Sequence, residues 1–223
     1  MSDRDTESDV LAGQAVYTER SLKYYDLIVL SVSNRFVWKC PSRHFEKLYN
    51  ECIADKHLDI GVGTGYFLDR CRFPGAPEIT LLDLNESSLA AAAKRIERYT
   101  PRTVTANVLE PLPLGEEKFN SVGLNYLLHC IPGDLESKAC VFDHILPHLN
   151  SGGVVFGSTL LTHGVKRGFL ARSLMAFYNS KGIFHNERDS LDDLERTLRE
   201  RFDQVQIDVI GSAALFRAMK FAD

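Results

Sequence analysis

Residues 57–67 read HLDIGVGTGYF: a short apolar run that opens into three glycines set two apart, Gly61, Gly63 and Gly65. The run before Gly61 has the length and content of a buried strand. From about Gly65 to Cys71 the pattern is helical. A glycine at a strand-to-helix turn lets the chain reverse sharply and lets a ligand approach the backbone. The helix start beyond it offers free N–H groups. Such a turn can also serve only the packing of strand on helix. The next acidic residue at a strand end is Asp83, in EITLLDL, at the spacing of about 20 residues expected of a nucleotide-binding unit. A carboxylate there can accept hydrogen bonds from ribose hydroxyls. Its plainer role is to cap the following helix, alone or with Asn85.

Outward from the glycines, short apolar runs alternate with helical patterns. HLDIG, EITLLDL, RTVTANV, FNSVGLN and GGVVFGSTL are strand candidates. Glu86 to Tyr99, ESSLAAAAKRIERY, is alanine-rich with no interior breaker and predicts a helix. Asp134 caps another, whose Leu135, Ala139, Phe142, Ile145 and Leu149 form an apolar face. Strands separated by helices imply parallel pairing and an α/β, doubly wound sheet. Residues 162–189 interrupt the alternation with Phe169, Phe177, Tyr178 and Phe184, and read as an insertion forming a lid. Ser190 and Asp193 form a capping-box pattern that opens a helix through Arg201. QVQIDVIGSAALFRAMKF reads as two strands joined at Gly211-Ser212, an antiparallel hairpin. Upstream, Val16 to Phe36 reads as one or two helices, and Pro41-Ser42 starts another with Phe45, Leu48, Tyr49 and Cys52 on one face.

The expected plan is a single domain over 1–223. It has a disordered tail at 1–15, a helical cap at 16–54 and a ligand-binding core at 55–161. The lid at 162–189 and a closing helix and hairpin at 190–223 complete it. The 223 residues are 44% hydrophobic and 25% charged, which suits a globular chain with a substantial core. A net charge of −4 argues against nucleic acid as a partner. No apolar run reaches the ~18 residues of a membrane span. The acidic MSDRDTESD start lacks the character of a secretory signal. The five cysteines, Cys40, Cys52, Cys71, Cys130 and Cys140, form no C-x-x-C pair, so reduced thiols and a cytoplasmic location are expected.

The glycine pattern also discriminates between ligands. The dinucleotide fingerprint needs a small sixth residue, where this chain has the bulky Tyr66. With Asp59 ahead of G-x-G-x-G, the sequence instead resembles the class I S-adenosylmethionine-dependent methyltransferases, over about residues 55 to 160. ANVLEPLP resembles that family's third motif and FNSVGLNYLLHCIPGD its fourth. The resemblance implies a Rossmann-like seven-stranded sheet, mostly parallel with an antiparallel last strand. It implies S-adenosylmethionine as cofactor, with Asp59, Gly61, Gly63 and Gly65 beside its methionine part. Asp83, with Leu84, would hold the ribose; Asn107 and Val108 would hold the adenine, and Asn125 would close the fourth strand. In relatives a tyrosine of the N-terminal segment touches the cofactor, which points to Tyr17 or Tyr25.

Methyl transfer from a sulfonium needs an aligned nucleophile in a dry site, and a general base when the nucleophile starts protonated. His129, His163 and Tyr126 are the candidates, each with a plain packing role as its rival. NYLL in place of N-P-P-Y argues against nucleobase and glutamine amines as acceptors, and Asn125 argues against a metal. The aromatic cap and lid suit a small hydrophobic or aromatic metabolite, with oxygen, nitrogen or carbon as acceptor and no membrane or nucleic acid as partner. Two alternatives stay open: an NAD(P)-dependent oxidoreductase, and a non-catalytic S-adenosylmethionine-binding regulator or subunit.

Overall fold

β1 (Lys56–Ile60), the strand that leads into the glycines, lies inside the sheet, flanked by β2 (Glu78–Asp83) and β4 (Phe119–Asn125). The computed structural model describes residues 26–221. β3 (Arg102–Thr105), β5 (Leu149–Leu160), β6 (Gln204–Ile210) and β7 (Ala213–Met219) complete seven strands in the order β3-β2-β1-β4-β5-β7-β6. β1 to β5 pair in parallel, and β7 runs antiparallel between β5 and β6. The expected mixed sheet and closing hairpin are therefore present.

Each face of the sheet carries its own apolar core. One face is covered by α1 (Asp26–Val37), α2 (Arg43–Cys52), α3 (Tyr66–Arg70), α4 (Glu86–Arg95) and α7 (Phe169–Ser180), around Trp38, Phe45, Leu68, Leu81 and Phe156. The other is covered by α5 (Leu135–Lys138), α6 (Cys140–Ile145) and α8 (Leu191–Arg199), around Leu58, Phe119, Val122, Phe142 and Phe216. β1, β2 and β4 are buried on both faces, so apolar residues fall at odd and even positions alike, with His57, Asp59, Thr80 and Ser121 as buried polar exceptions.

Several boundaries differ from the sequence expectation, each for a local reason. The helix expected over 86–99 ends at Arg95 and continues as a 3-10 turn at Glu97–Tyr99. Pro101 follows, and Thr100 before it takes φ +47°, outside the helical region. The helix after Asp134 starts with a capping box to Ser137, then splits into α5 and α6, and Leu149 belongs to β5 rather than to its face. α8 begins at the Ser190 cap and stops at Arg199 instead of Arg201. α1 is wound as a π-helix. The tail at 1–15 and the start of the cap lie outside the described residues. Among the described residues no helix is long and apolar enough to cross a membrane.

Trp38, after α1, and the segment expected as an insertion, 162–189, are fastened by specific contacts. The Trp38 carbonyl accepts from Ser212 N at the hairpin turn, and the Trp38 ring leans on Phe184 at 6.2 Å. Trp38 thus joins the end of α1 to the turn between β6 and β7 and to the 162–189 segment. Asn186 Nδ2 donates to the Leu160 carbonyl at 2.8 Å. Beneath the insertion, Lys138 Nζ donates to Asp189 Oδ2 at 2.7 Å and to the His185 carbonyl at 2.8 Å, with both charged side chains fully buried. Burial lowers the Lys138 pKa and raises that of Asp189, to about 6, against the pull of each charge on the other. Removing one partner leaves the other buried and uncompensated. Lys138→Met should cost about 3–5 kcal/mol in urea unfolding. A loss under about 1 kcal/mol would mean that Asp189 takes up a proton without strain.

Candidate functional site

A cavity opens at the carboxyl ends of β1, β2 and β4, where the strand order reverses direction on either side of β1. The three glycines form its rim, all in the left-handed region at φ +71°, +53° and +70°. They have separate reasons to be glycine. A Cβ on Gly61 would lie 2.9 Å from Leu127 Cδ1, and one on Gly65 3.1 Å from Ala92 Cα. Protein atoms already crowd a side chain at both positions. Gly63 meets nothing within 4 Å, so its bare backbone faces open space. It is the glycine a ligand can approach.

Asp83 sits across from this rim. Its Oδ1 accepts from Asn85 N at 2.8 Å, and the N–H groups of Val62 and Gly63 also point at its carboxylate. The cap of α4 is Asn85, whose side chain accepts from Ser88 N at 3.1 Å. Asp83 therefore ties the second strand to the glycine turn. Burial pushes its carboxyl up to about 6, and the backbone N–H groups oppose that rise.

Leu84, Asn107, Val108, Asn125 and Tyr126 all border the same space. Asn107 Oδ1 accepts from Leu109 N at 3.1 Å, an Asx turn that fixes the side chain beside Val108. The Ser158 hydroxyl donates to Asn125 Oδ1. Tyr126 is unusual: its φ is +59°, and its hydroxyl donates to Asn34 Oδ1 of α1 at 2.8 Å. A left-handed aromatic residue costs free energy, so its neighbours must over-determine it. Its ring meets Phe45 edge-on at 5.0 Å, and its N–H is held by the Ser158 carbonyl. Asp59 is buried at the base of the cavity, with the Tyr49 hydroxyl donating to Oδ2 at 2.9 Å.

Two of the three catalytic candidates are elsewhere. His129 is buried beside β5, with Leu160 N donating to its Nδ1 at 3.3 Å and Phe184 edge-on at 4.5 Å. Burial, with Lys138 nearby, lowers its pKa to about 3, and its ring lies outside the cavity lining. His163 is exposed on the insertion and bonds to the Glu187 carbonyl at 3.0 Å, outside the cavity lining. Tyr126 alone faces the cavity. Tyr17 and Tyr25 lie outside the described residues. Sequence reasoning missed Tyr49 and Tyr66 as lining residues. A tyrosine on the buried face of α2 was a usable signal, because a buried phenol needs a partner.

Comparison with known proteins gives this geometry a context. Residues 58–155 match the model of a methyltransferase domain family. The chain is 43% identical over 218 residues to the demethylluteothin O-methyltransferase of Streptomyces thioluteus, covering 97% of this chain and 95% of that protein. It is 40% identical over 210 residues to the physcion biosynthesis cluster O-methyltransferase of Aspergillus chevalieri, covering 93% and 95%. Its fold matches the structure of DhpI in complex with SAH at a TM-score of 0.70, with 14% identity and 97% and 99% coverage.

Asp83 carries a pH signature that can be read without ligand. Its folded pKa of about 6 lies above the usual carboxylate range. The folded chain thus holds a proton that the unfolded chain has already released. This contribution favours folding below about pH 4 and is lost as pH rises through about 6, by an amount on the order of 1–3 kcal/mol. Asp83→Asn should flatten that part of the stability curve. Melting profiles from about pH 4 to 7 that coincide for the two proteins would show that the carboxyl is not desolvated.

Proposed function

The chain belongs to the class I S-adenosylmethionine-dependent methyltransferases that act on small molecules, and from that premise we propose that it methylates an ionisable hydroxyl, a phenol or an enol, on a hydrophobic metabolite. The oxidoreductase alternative falls with this kinship, as the bulk of Tyr66 already suggested. Oxygen as the acceptor is supported by relatives that carry O-methyltransferase names at 43% and 40% identity.

The observation that carries the acidity of the hydroxyl is where the histidines are. All seven lie within the described residues, and none lines the cavity. His57 and His129 are buried in the protein. His144, His148, His163 and His185 each bond to a backbone carbonyl, at 3.0, 2.9, 3.0 and 3.1 Å. His44 lies on α2. The titratable groups on the described cavity wall are Asp59, Asp83, the phenols of Tyr49, Tyr66 and Tyr126, and Cys130, whose thiol burial pushes up to about 12. The Tyr49 and Tyr126 hydroxyls already donate to Asp59 and Asn34. A hydroxyl that ionises by itself near neutral pH needs no base from the protein.

When bound, S-adenosylmethionine supplies a methyl group on a positively charged sulfur, a leaving group that needs no acid. The residues present suit it: open space at Gly63, a carboxylate at Asp83, an amide beside an apolar plate at Asn107 and Val108, and a buried carboxylate at Asp59. In this reading Asp83 accepts from the ribose hydroxyls, and Leu84, Val108 and Asn125 shape the walls. Gly61 and Gly65 hold the turn for Gly63. Tyr126, locked by Asn34, sets the wall nearest the cap and orients the acceptor without exchanging a proton. Tyr17 and Tyr25 belong to the cap sequence that would meet the cofactor. The enzyme works in the cytoplasm, in keeping with five cysteines that are all free.

The test is a series of phenols and enols of graded acidity, assayed from about pH 6 to 10. The limb of kcat/KM should move with each acceptor's own pKa, and His163→Ala and His129→Asn should leave that limb in place. One limb shared by every acceptor would reveal a protein base and overturn the proposal. A Val at residue 63 places branched bulk where the backbone faces open space, so Gly63→Val should abolish S-adenosylhomocysteine binding in calorimetry. Retained binding would mean that the turn is only structural.

A further inference from the structure

Behind Asp59 lies a chain of buried polar groups that the proposed reaction does not use. His57 and Asp59 are two residues apart on β1 and so share a face of the sheet. The His57 side chain is fully buried, with its ring nearly parallel to Phe156 at 5.8 Å and edge-on to Phe73 at 6.5 Å. Ser121 is its direct partner across the β1–β4 pairing, and His57 Nδ1 lies 2.8 Å from Ser121 Oγ. That oxygen already accepts from Ala54 N at 2.9 Å, which leaves the hydroxyl hydrogen for Nδ1. The ring proton then sits on Nε2, 3.3 Å from Asp59 Oδ2. The opposite tautomer would aim a lone pair at a carboxylate.

The neighbouring strand makes room for this pair. Gly123 faces Asp59 in the β1–β4 register, and a Cβ there would lie 2.9 Å from Asp59 Oδ2 and 3.3 Å from His57 Cε1. Its φ is not in the left-handed region, so the space, and not the backbone angle, calls for glycine. Both donors to Asp59, Tyr49 Oη and His57 Nε2, converge on Oδ2. Neither reaches Oδ1, and the residue borders the cavity.

We propose that His57, oriented by Ser121, is a positioning residue that turns the Asp59 carboxylate toward the cationic amino-acid end of the cofactor. This rests on the cofactor reading given above. The Ala54 N–H, the Ser121 hydroxyl and the His57 Nε2–H form one directional relay. It fixes the carboxylate in a single rotamer.

The experiment compares two ligands that differ at that end. S-adenosylhomocysteine carries the amino-acid group, and 5′-methylthioadenosine lacks it. His57→Phe keeps the ring against Phe156 and removes both nitrogens, whereas His57→Gln retains an N–H donor. With His57→Phe, affinity for S-adenosylhomocysteine should fall about tenfold, the loss of one donor to a charged group, and affinity for 5′-methylthioadenosine should hold. His57→Gln should recover part of the loss. Nitrogen NMR of the unaltered protein should show His57 protonated at Nε2. An equal fall for both ligands, or no fall for either, would overturn the proposal and leave His57 as core packing. If His57→Phe does not fold, the tautomer and the His57→Gln comparison still decide. An unaltered protein that binds neither ligand would refute the cofactor reading instead, which keeps the two failures apart.

Discussion

Three left-handed residues in a span of five, between β1 and α3, hold the site together. Only a chain without side chains at those positions can turn this tightly and still admit three neighbours. Leu127 comes in under Gly61, α4 presses its backbone against Gly65, and Asp83 gathers the N–H groups of Val62 and Gly63. The ends of β1, β2 and β4 are brought to one point by this turn. The cavity is what remains uncovered once they meet. A different turn would separate the walls while leaving the sheet intact.

Much of this was legible in the sequence because it depends on local rules. A buried parallel strand carries apolar residues on both of its faces, so β1, β2, β4 and β5 stood out, and β4 spans the residues expected of it. The Ser190 and Asp134 caps were visible from side-chain spacing. Strand ends were visible too, and topology alone sends Asp83, Asn107 and Asn125 to a common edge. The π-winding of α1 was not legible. Its closing bonds, Trp38 N to the Ser33 carbonyl among them, accompany the tertiary clamps on Trp38 and Asn34. Histidine roles were not legible either. His129 follows a strand end as a catalytic residue would, yet its ring points into the core. Nothing within a few residues of Tyr49 says that its hydroxyl ends on Asp59.

Polar groups in this protein act mostly as struts. His144 and His148 brace the Val108 and Glu117 carbonyls, and Lys138 holds the foot of the insertion. The apolar residues Phe169, Leu170 and Phe177 on α7 remain exposed. The insertion is secured by a few directional bonds at its base together with the buried inner side of α7, Ala171 and Met175, and the ring of Phe184. Only the exposed face of its helix is free to vary in sequence without loosening that attachment, while Ala171, Met175, Asp189, Asn186 and Lys138 have to be kept.

The position of β7 has a consequence for how the chain is made. β7 is the last strand in sequence but lies inside the sheet, and β6, made before it, has no partner other than β7 among the described residues. Through synthesis of the insertion, α8 and β6, the outer edge of β5 stays unpaired. Such an edge is a template for pairing with another chain. Gly211, at φ +60°, turns β6 into β7 over two residues, so the hairpin can close locally before it docks. Docking then adds two strands to the sheet in one event and hides the exposed edge. A nascent chain that stalls short of β7 would be held together by its glycine turn yet remain adhesive along β5.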